Sequence, residues 1–323
     1  MELDLASIRR RLRLRDLDVL SAVLAAGSMH KAAHALHLSQ SAVSKSIAEL
    51  EDLVGHRLLD RGRQGVQATE LGRALARGAG RVGIDLDQTL RELTHLADPE
   101  AGDVRIGAME TLLAGLVGEA VRRHHAVHPR TRFMLESGQA SELIEHFLRA
   151  GLVDFVVARP FDLPLPPDME GHPLFHERLQ VVAATGHPLT RRRHLQLAHL
   201  TDELWILSRN ELMDHSPVVR AFADRGLPLP RRLVESASLN LRLNLLQDRR
   251  HITCIPHSLM PFGGAPAWLK RLPLSFPPWQ TPAMVITLRG RELLPAARHF
   301  LTALRELSAS LDTRPDPGGS APA

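Results

Sequence analysis

This sequence predicts a mainly α domain over residues 1–68, a single long helix over 69–98, and an α/β domain over 103–311. Three observations carry the prediction. Apolar residues recur at helical spacing up to about residue 55, broken by Gly-Ser and Ser-Gln steps. A leucine stripe at near-heptad spacing then runs from Leu71 to Leu93. Beyond Asp103 short apolar runs alternate with helical patterns. At 323 residues the chain also exceeds what one hydrophobic core usually organises.

The elements follow in order. Leu17, Leu20, Val23 and Leu24 set a first helix, which Gly27 stops. Ser28 caps a short second helix carrying Ala32, Ala33 and Leu36. Ser39 caps a third, whose apolar residues Val43, Ile47, Leu50 and Val54 share one face. Extended pieces at 57–59 and 66–68 bracket a basic loop at 60–65 and read as a hairpin, or wing. Thr69 caps the long helix, which ends near Ala97. Its interior Gly72, Gly78, Gly80 and Gly83 each cost about 1 kcal/mol relative to alanine. Such a helix needs a partner along its apolar stripe, so Leu71, Leu75, Val82, Leu86 and Leu93 are the expected dimerisation residues.

In the larger domain, strands are expected at 104–109, 132–135, 154–158, 179–183, 204–207, 231–234, 252–255 and 284–288. Helical patterns fall between several of them, including 141–150, closed by Gly151, and 239–247. Residues 312–323, rich in Pro, Gly, Ser and Ala, read as a disordered tail.

Composition narrows the function classes. No apolar run approaches the roughly 20 residues that span a bilayer, and no signal-peptide pattern opens the chain. The single Cys254 excludes an intrachain disulfide, and a cytoplasmic location is expected. A pI near 10.1 suggests a nucleic-acid partner, yet net charge is only +4. The chain has no Tyr and one Cys, and its bases are nearly all non-titrating arginine. Little can pull the pI down, so net charge is the better guide and local pattern must carry the case.

That pattern is the third helix. One face is apolar; the opposite N-terminal face shows Gln40, Ser41, Ser44 and Lys45. A helix entering the major groove needs one buried face to fix it and short polar side chains toward the DNA. Gln40 can present an amide to adenine, and Lys45 can reach guanine or phosphate. Ser28, Ser39, Ser41 and Ser44 allow close backbone approach, with Lys31 meeting the DNA backbone from the second helix and Arg61 and Arg63 on the wing meeting the flanking backbone or minor groove. A solvated helical bundle would show such polar faces too. The order helix, Gly-Ser break, helix, Ser-Gln turn, helix, basic wing favours double-stranded DNA.

Residues 14–75, LRDLDVLSAVLAAGSMHKAAHALHLSQSAVSKSIAELEDLVGHRLLDRGRQGVQATELGRAL, closely resemble the LysR-type transcriptional regulators. The resemblance implies a winged helix-turn-helix, a dimerising linker helix, and a two-lobed α/β effector domain resembling periplasmic solute-binding proteins. It sets lobe one at 103–175 and 279–311 and lobe two at 176–278. It implies a sequence-specific regulator, homodimeric or homotetrameric, whose small-molecule effector (an organic acid or sugar) binds between the lobes. Contact with RNA polymerase and activation of a neighbouring metabolic or catabolic operon follow from the same resemblance. Carried over by position, Thr111, then Ser137, Gly138 and Gln139, and in the facing lobe Ser208, Arg209 and Thr253 are expected to line the effector site. Arg209 could pair with a carboxylate there. Many relatives have a glycine-rich stretch where this chain has residues 248–253. That departure raises an alternative: a constitutive DNA-binding regulator without ligand response.

Other signals carry less. Gly78, Gly80 and Gly83 spell G-x-G-x-x-G, but inside a helical pattern and without the preceding strand that a dinucleotide site requires. His30, His34 and His37 have metal-compatible spacing, yet histidines in this region more simply face solvent or phosphate. Cys254 sits in an apolar strand and reads as a buried, inert thiol. No H-E-x-x-H, G-x-S-x-G or P-loop pattern is present. No enzyme activity, metal or cofactor is expected.

Overall fold

The computed structural model describes residues 5–62, 65–98, 102–160, 164–279 and 281–312. The expected wing residue Arg63 and the tail from 313 onward lie outside them, and Arg61 is described by its backbone alone. The chain divides into two compact bodies, residues 1–94 and 95–323.

In the first body, α1 (Leu5–Arg11), α2 (Leu14–Ala26), α3 (Met29–Ala35) and α4 (Gln40–Val54) precede a hairpin of β1 (Leu59–Gly62) and β2 (Gly65–Ala68). Each break is local chemistry. Gly27 ends α2 in the left-handed conformation, the Ser28 hydroxyl accepts the Lys31 amide, and the Ser39 hydroxyl accepts the Ala42 amide. Val19, Leu20, Val23, Val43, Ile47, Leu50 and Leu58 form the buried core. α1 was not expected; Leu5, Ile8 and Leu12 carry its helical spacing, and Leu12 packs against that core.

The hairpin is fastened at its base. Glu51 Oε1 accepts the Leu58 and Leu59 amides at 2.7 and 3.1 Å. Thr69 Oγ1 donates to the Arg57 or Leu58 carbonyl and accepts the Gly72 amide at 3.0 Å, capping α5 (Glu70–Ala97). The four interior glycines of α5 then separate. A Cβ on Gly72 would stand 2.0 Å from the Leu58 carbonyl oxygen, whereas Gly78, Gly80 and Gly83 have nothing within 4 Å. Leu71, Val82, Leu86 and Leu93 are exposed, as are Leu90 and Leu96. Leu75 differs from the expectation: it packs against the core of its own domain, because the first turns of α5 lie on that core.

The second body contains two five-stranded sheets. The first is ordered β4-β3-β5-β12-β6, from β3 (Asp103–Ala108), β4 (Arg132–Ser137), β5 (Phe155–Ala158), β6 (Met169–Phe175) and β12 (Ala283–Leu288). A helical run, α6 (Glu110–Leu112) through wider π turns Leu113–Val117 into α7 (Gly118–Val127), follows β3. A shorter run, α8 (Ala140–Glu142) with π turns Leu143–Leu148, follows β4. The second sheet is ordered β11-β7-β10-β8-β9, from β7 (Leu179–Ala184), β8 (Leu204–Leu207), β9 (Leu233–Glu235), β10 (His251–Pro256) and β11 (Leu269–Ser275). α9 (Pro217–Ala223) and α10 (Leu239–Leu246) cover it, and α11 (Pro295–Asp312) returns to pack against Val104, Phe155 and Val285 of the first. The chain passes between the sheets twice, after β6 and before β12, so lobe one is built from two segments and lobe two is a continuous insertion between them.

Strands β6 and β11 were not expected. Both lie at sheet edges, carry Pro173 and Pro273, and lack strict alternation, since an edge tolerates a missing amide donor. β9 is Leu233–Glu235 rather than 231–234, and α11 includes Asp312, which was assigned to the tail.

Gly72→Ala should destabilise the first body by about 1–3 kcal/mol, because the new methyl must displace the Leu58 carbonyl. Thermal unfolding reads this as a lowered Tm, and an unchanged Tm would refute the close approach.

Candidate nucleic-acid interface and ligand cleft

The helix-turn-helix presents a continuous polar face. Lys31, Ser39, Gln40, Ser41 and Lys45 are exposed, and Ser28 and Ser44 are half-buried beside them. Met29, Val43 and Ile47 point the other way into the core, which fixes the rotation of α4. Ser39 and Ser41 hydroxyls share a bond of 2.9 Å. Lys45 Nζ lies 3.7 Å from Glu49 with both side chains largely in solvent, a pair weak enough to exchange for a phosphate. His30, His34 and His37 are exposed, and no group of three or more metal-capable side chains forms among the described residues. α1 adds exposed Arg9, Arg10 and Arg11 to this domain, a basic run the sequence reading did not use.

In the second body a cavity of about 160 Å³ opens between the lobes. Lobe one contributes Thr111, at the start of the helical run after β3, with Ser137 ending β4 and Gly138 and Gln139 following it. Lobe two contributes Ser208 and Asn210, following β8. Two of the expected residues fall elsewhere. Thr253 is fully buried and spends its hydroxyl on the Ile206 carbonyl; its neighbours Cys254, Ile255 and Pro256 line the cavity instead. The cavity meets the carboxyl end of β10, and Thr253 stops one position short of it. Arg209 is exposed and lines a neighbouring groove of about 490 Å³ with Ser141, Ile144 and Pro160.

Residues 248–253 also stand apart from the cavity wall. Asp248 accepts the Arg250 amide at 2.7 Å and His251 Nδ1 contacts its other oxygen at 2.8 Å, forming a closed turn with Arg249 at φ +60°. Cys254 is buried, and burial pushes its thiol well above the ordinary range, which leaves little thiolate for redox chemistry.

The charged groups of the cleft were the larger omission. Arg242 makes a two-pronged pair with Glu211, at 3.1 and 2.8 Å, and also donates to the Cys254 and Ser236 carbonyls. Arg159 closes the chamber with its guanidinium 4.7 Å from the Trp279 ring centre. Burial lowers its pKa, and the fields of Glu177 and Glu211 oppose that. Glu177 is fully buried and accepts the Ser258 hydroxyl at 2.6 Å and the Ser258 amide at 3.2 Å, with His257 Nδ1 on the same oxygen as the amide. Burial pushes the Glu177 carboxyl up, but His257, Arg159 and Ser258 outweigh it and hold it below the usual range. One local signal pointed to Arg159: a charge at the carboxyl end of the buried run 154–158, where α/β sheets bind ligands.

Side-chain hydrogen bonds cross the cleft away from the chain crossings. Glu110, from lobe one, accepts the Leu239 amide at the start of α10 at 3.1 Å. Asn210 Nδ2 donates to Gln139 Oε1 at 3.3 Å.

A helix-turn-helix head with an exposed polar recognition face, followed by a two-lobed body enclosing a cleft, defines a DNA-binding transcription regulator. Residues 14–73 match the bacterial regulatory helix-turn-helix domain of the lysR family, and residues 97–309 match the LysR substrate binding domain. The chain belongs to the LysR family of transcriptional regulators. It is 29% identical over 302 residues to the HTH-type transcriptional regulator GbpR of Azospirillum brasilense, covering 93% of this chain and 88% of that protein. It is 31% identical over 231 residues to PcaQ of Agrobacterium fabrum, covering 70% and 73% respectively. Its fold is similar to the crystal structure of ArgP from Mycobacterium tuberculosis, with a TM-score of 0.63 at 20% identity over 93% of this chain and 98% of that one.

Glu177→Gln should cost about 3–5 kcal/mol, because it removes the counter-charge of a buried site. In the wild type, the Glu177 contribution is present above the unfolded glutamate pKa, about 4.3, and drains as pH falls further. Denaturant unfolding at pH 7 and pH 3.5 should therefore show a variant deficit that narrows in acid. A deficit independent of pH would contradict the pairing.

Proposed function

We propose that this regulator binds an operator through α4 and the wing, and that a small molecule in the interlobe cleft modulates that binding. The observation that supports the reading best is a cavity whose polar lining comes from both lobes, Thr111 and Ser137 on one side and Ser208 and Asn210 on the other. A ligand touching both lobes changes their mutual geometry by its differential affinity for the two arrangements. Residues 248–253, which raised the alternative of a regulator without ligand response, lie outside the cavity wall. Their departure from the family pattern is thus no argument against a ligand.

The proposed domain plan keeps residues 1–68 as the DNA-binding domain, 69–98 as the dimerising linker and 103–311 as the effector domain. Self-association through exposed Leu71, Val82, Leu86 and Leu93 gives a homodimer, and two dimers a homotetramer. Gly78 and Gly83 flank that stripe on the helix and suit the arrangement, since a second helix can approach where no Cβ stands, whereas Gly80 lies on the opposite face. The reading places the protein in the cytoplasm, acting with RNA polymerase to activate a neighbouring metabolic or catabolic operon. Among the described residues no helix is long and apolar enough to cross a membrane.

Footprinting on the DNA beside the protein's own gene tests the core of the reading. Protection should appear and change with metabolites; no specific footprint under any condition would sink it. Lys45→Ala should weaken operator binding by about 1–3 kcal/mol if Lys45 meets a base, or lower the salt slope by about 1 if it meets a phosphate. An unchanged affinity and slope would remove Lys45 from the interface. Leu86→Asp should shift sedimentation toward smaller species, and an intact assembly would contradict the linker stripe.

A further inference from the structure

We propose that the interlobe cleft takes a small, uncharged, polyhydroxylated ligand of the neutral sugar or polyol class, and that Glu110 keeps anions out. The inference rests on the effector reading above and supplies the chemistry of its ligand.

Electrostatics give the first argument. The cavity wall and the layer behind it hold two guanidiniums, Arg159 and Arg242, and the His257 imidazole on Glu177, against three carboxylates, Glu110, Glu177 and Glu211. Arg242 is committed to Glu211, and Arg159 lies in the fields of Glu177 and Glu211. No excess positive charge is left to offset the desolvation of a ligand carboxylate. Glu110 adds a positional argument. The amino end of α10, an eight-residue helix opening onto the cleft, favours negative charge, and Glu110 fills that position across the lobes at 3.1 Å from the Leu239 amide. The protein's own carboxylate thus occupies the place where a ligand anion would be stabilised.

Hydrogen-bonding capacity gives the second argument. Among the described residues, the Thr111 and Ser137 hydroxyls, the Gln139 side-chain nitrogen and the Asn210 side-chain oxygen hold no intramolecular bond. These are neutral donors and acceptors supplied by both lobes. Leu179, Leu239, Ile255 and Trp279 give the same cavity apolar walls. A sugar or polyol presents that combination, hydroxyls around a C–H surface. At about 160 Å³ the chamber is small beside the roughly 300–1,000 Å³ of sites for drug-sized ligands, which fits a compact molecule.

The test is calorimetry on the full-length protein with matched probes: glucose and galactose, their uronic acids, myo-inositol, and glucosamine as a cation. The expected result is binding of at least one neutral probe with a Kd at least about tenfold below that of its charged counterpart. Glu110→Gln should narrow that ratio by admitting the uronate, and Ser137→Trp, which fills the chamber, should abolish the heat. A uronate or glucosamine binding the wild type as tightly as its neutral counterpart overturns the inference and leaves the cleft reading standing. Binding by no probe also overturns it. The cleft reading outlives that result if a deproteinised cell extract still alters the operator footprint, and falls with it if none does.

Discussion

The cleft depends on a carboxylate that water never reaches. Glu177 sits where the chain first leaves lobe one, and its backbone carbonyl accepts the Trp279 amide, at 2.9 Å, from the segment that returns. The side chain gathers the hydroxyl and amide of Ser258 and the ring of His257, all following β10. Three chain segments distant in sequence are held together at one buried residue, two of them by its charge and the third by its backbone. Such a charge is tolerable because its oxygens are filled and Arg159 stands opposite. Trp279 in turn carries Arg159 against its ring, so the inner wall of the cavity is set from the crossing outward. An apolar pair at the crossing would hold the strands together without fixing which polar groups face the ligand.

The DNA-binding head follows the opposite logic. Its recognition groups are exposed, short or loosely paired, and its precision comes from what lies beneath them. Gly27, Ser28 and Ser39 place the helix breaks, Glu51 and Thr69 fasten the hairpin, and Val43 and Ile47 set the rotation of α4. Every one of these is a local or near-local interaction. For that reason the helix-turn-helix was legible in the sequence almost residue by residue, including both serine caps and the cap on the linker helix.

The cleft was legible only where a strand end announced it. Thr111, Ser137 and Ser208 stand at or just past strand ends and could be placed by counting from them. Thr253 could not: the cavity meets only the carboxyl end of β10, and how far along a buried strand a chamber reaches leaves no mark in the sequence. The charged partners were invisible for a different reason. Glu211 and Arg242 are 31 residues apart, and Arg159 and Trp279 stand on opposite sides of lobe two in the chain; the double crossing alone brings the latter pair together. Periodicity reports which face of an element is buried and carries no information about which buried charge meets which. The edge strands β6 and β11 escaped for a related reason, since an edge with a proline has no alternation to read.

These two modes of construction bear on how a ligand could be felt. Hydrogen bonds span the cleft from Glu110 to the Leu239 amide and from Asn210 to Gln139, and both involve groups that line the cavity. A molecule entering the chamber must therefore either add bonds beside them or take one over. Glu110 is the more consequential of the two, because it combines a full charge with the dipole of α10, whereas the amide pair is neutral and long at 3.3 Å. A neutral ligand can leave the Glu110 contact intact and strengthen the closed arrangement by bonding Thr111 and Ser137 to lobe two. An anion would have to displace Glu110 first, and so would oppose the closure that its own contacts could support. The sign of the ligand's charge thereby becomes a choice between reinforcing and releasing the lobes, which is the quantity that a two-lobed sensor has available to transmit.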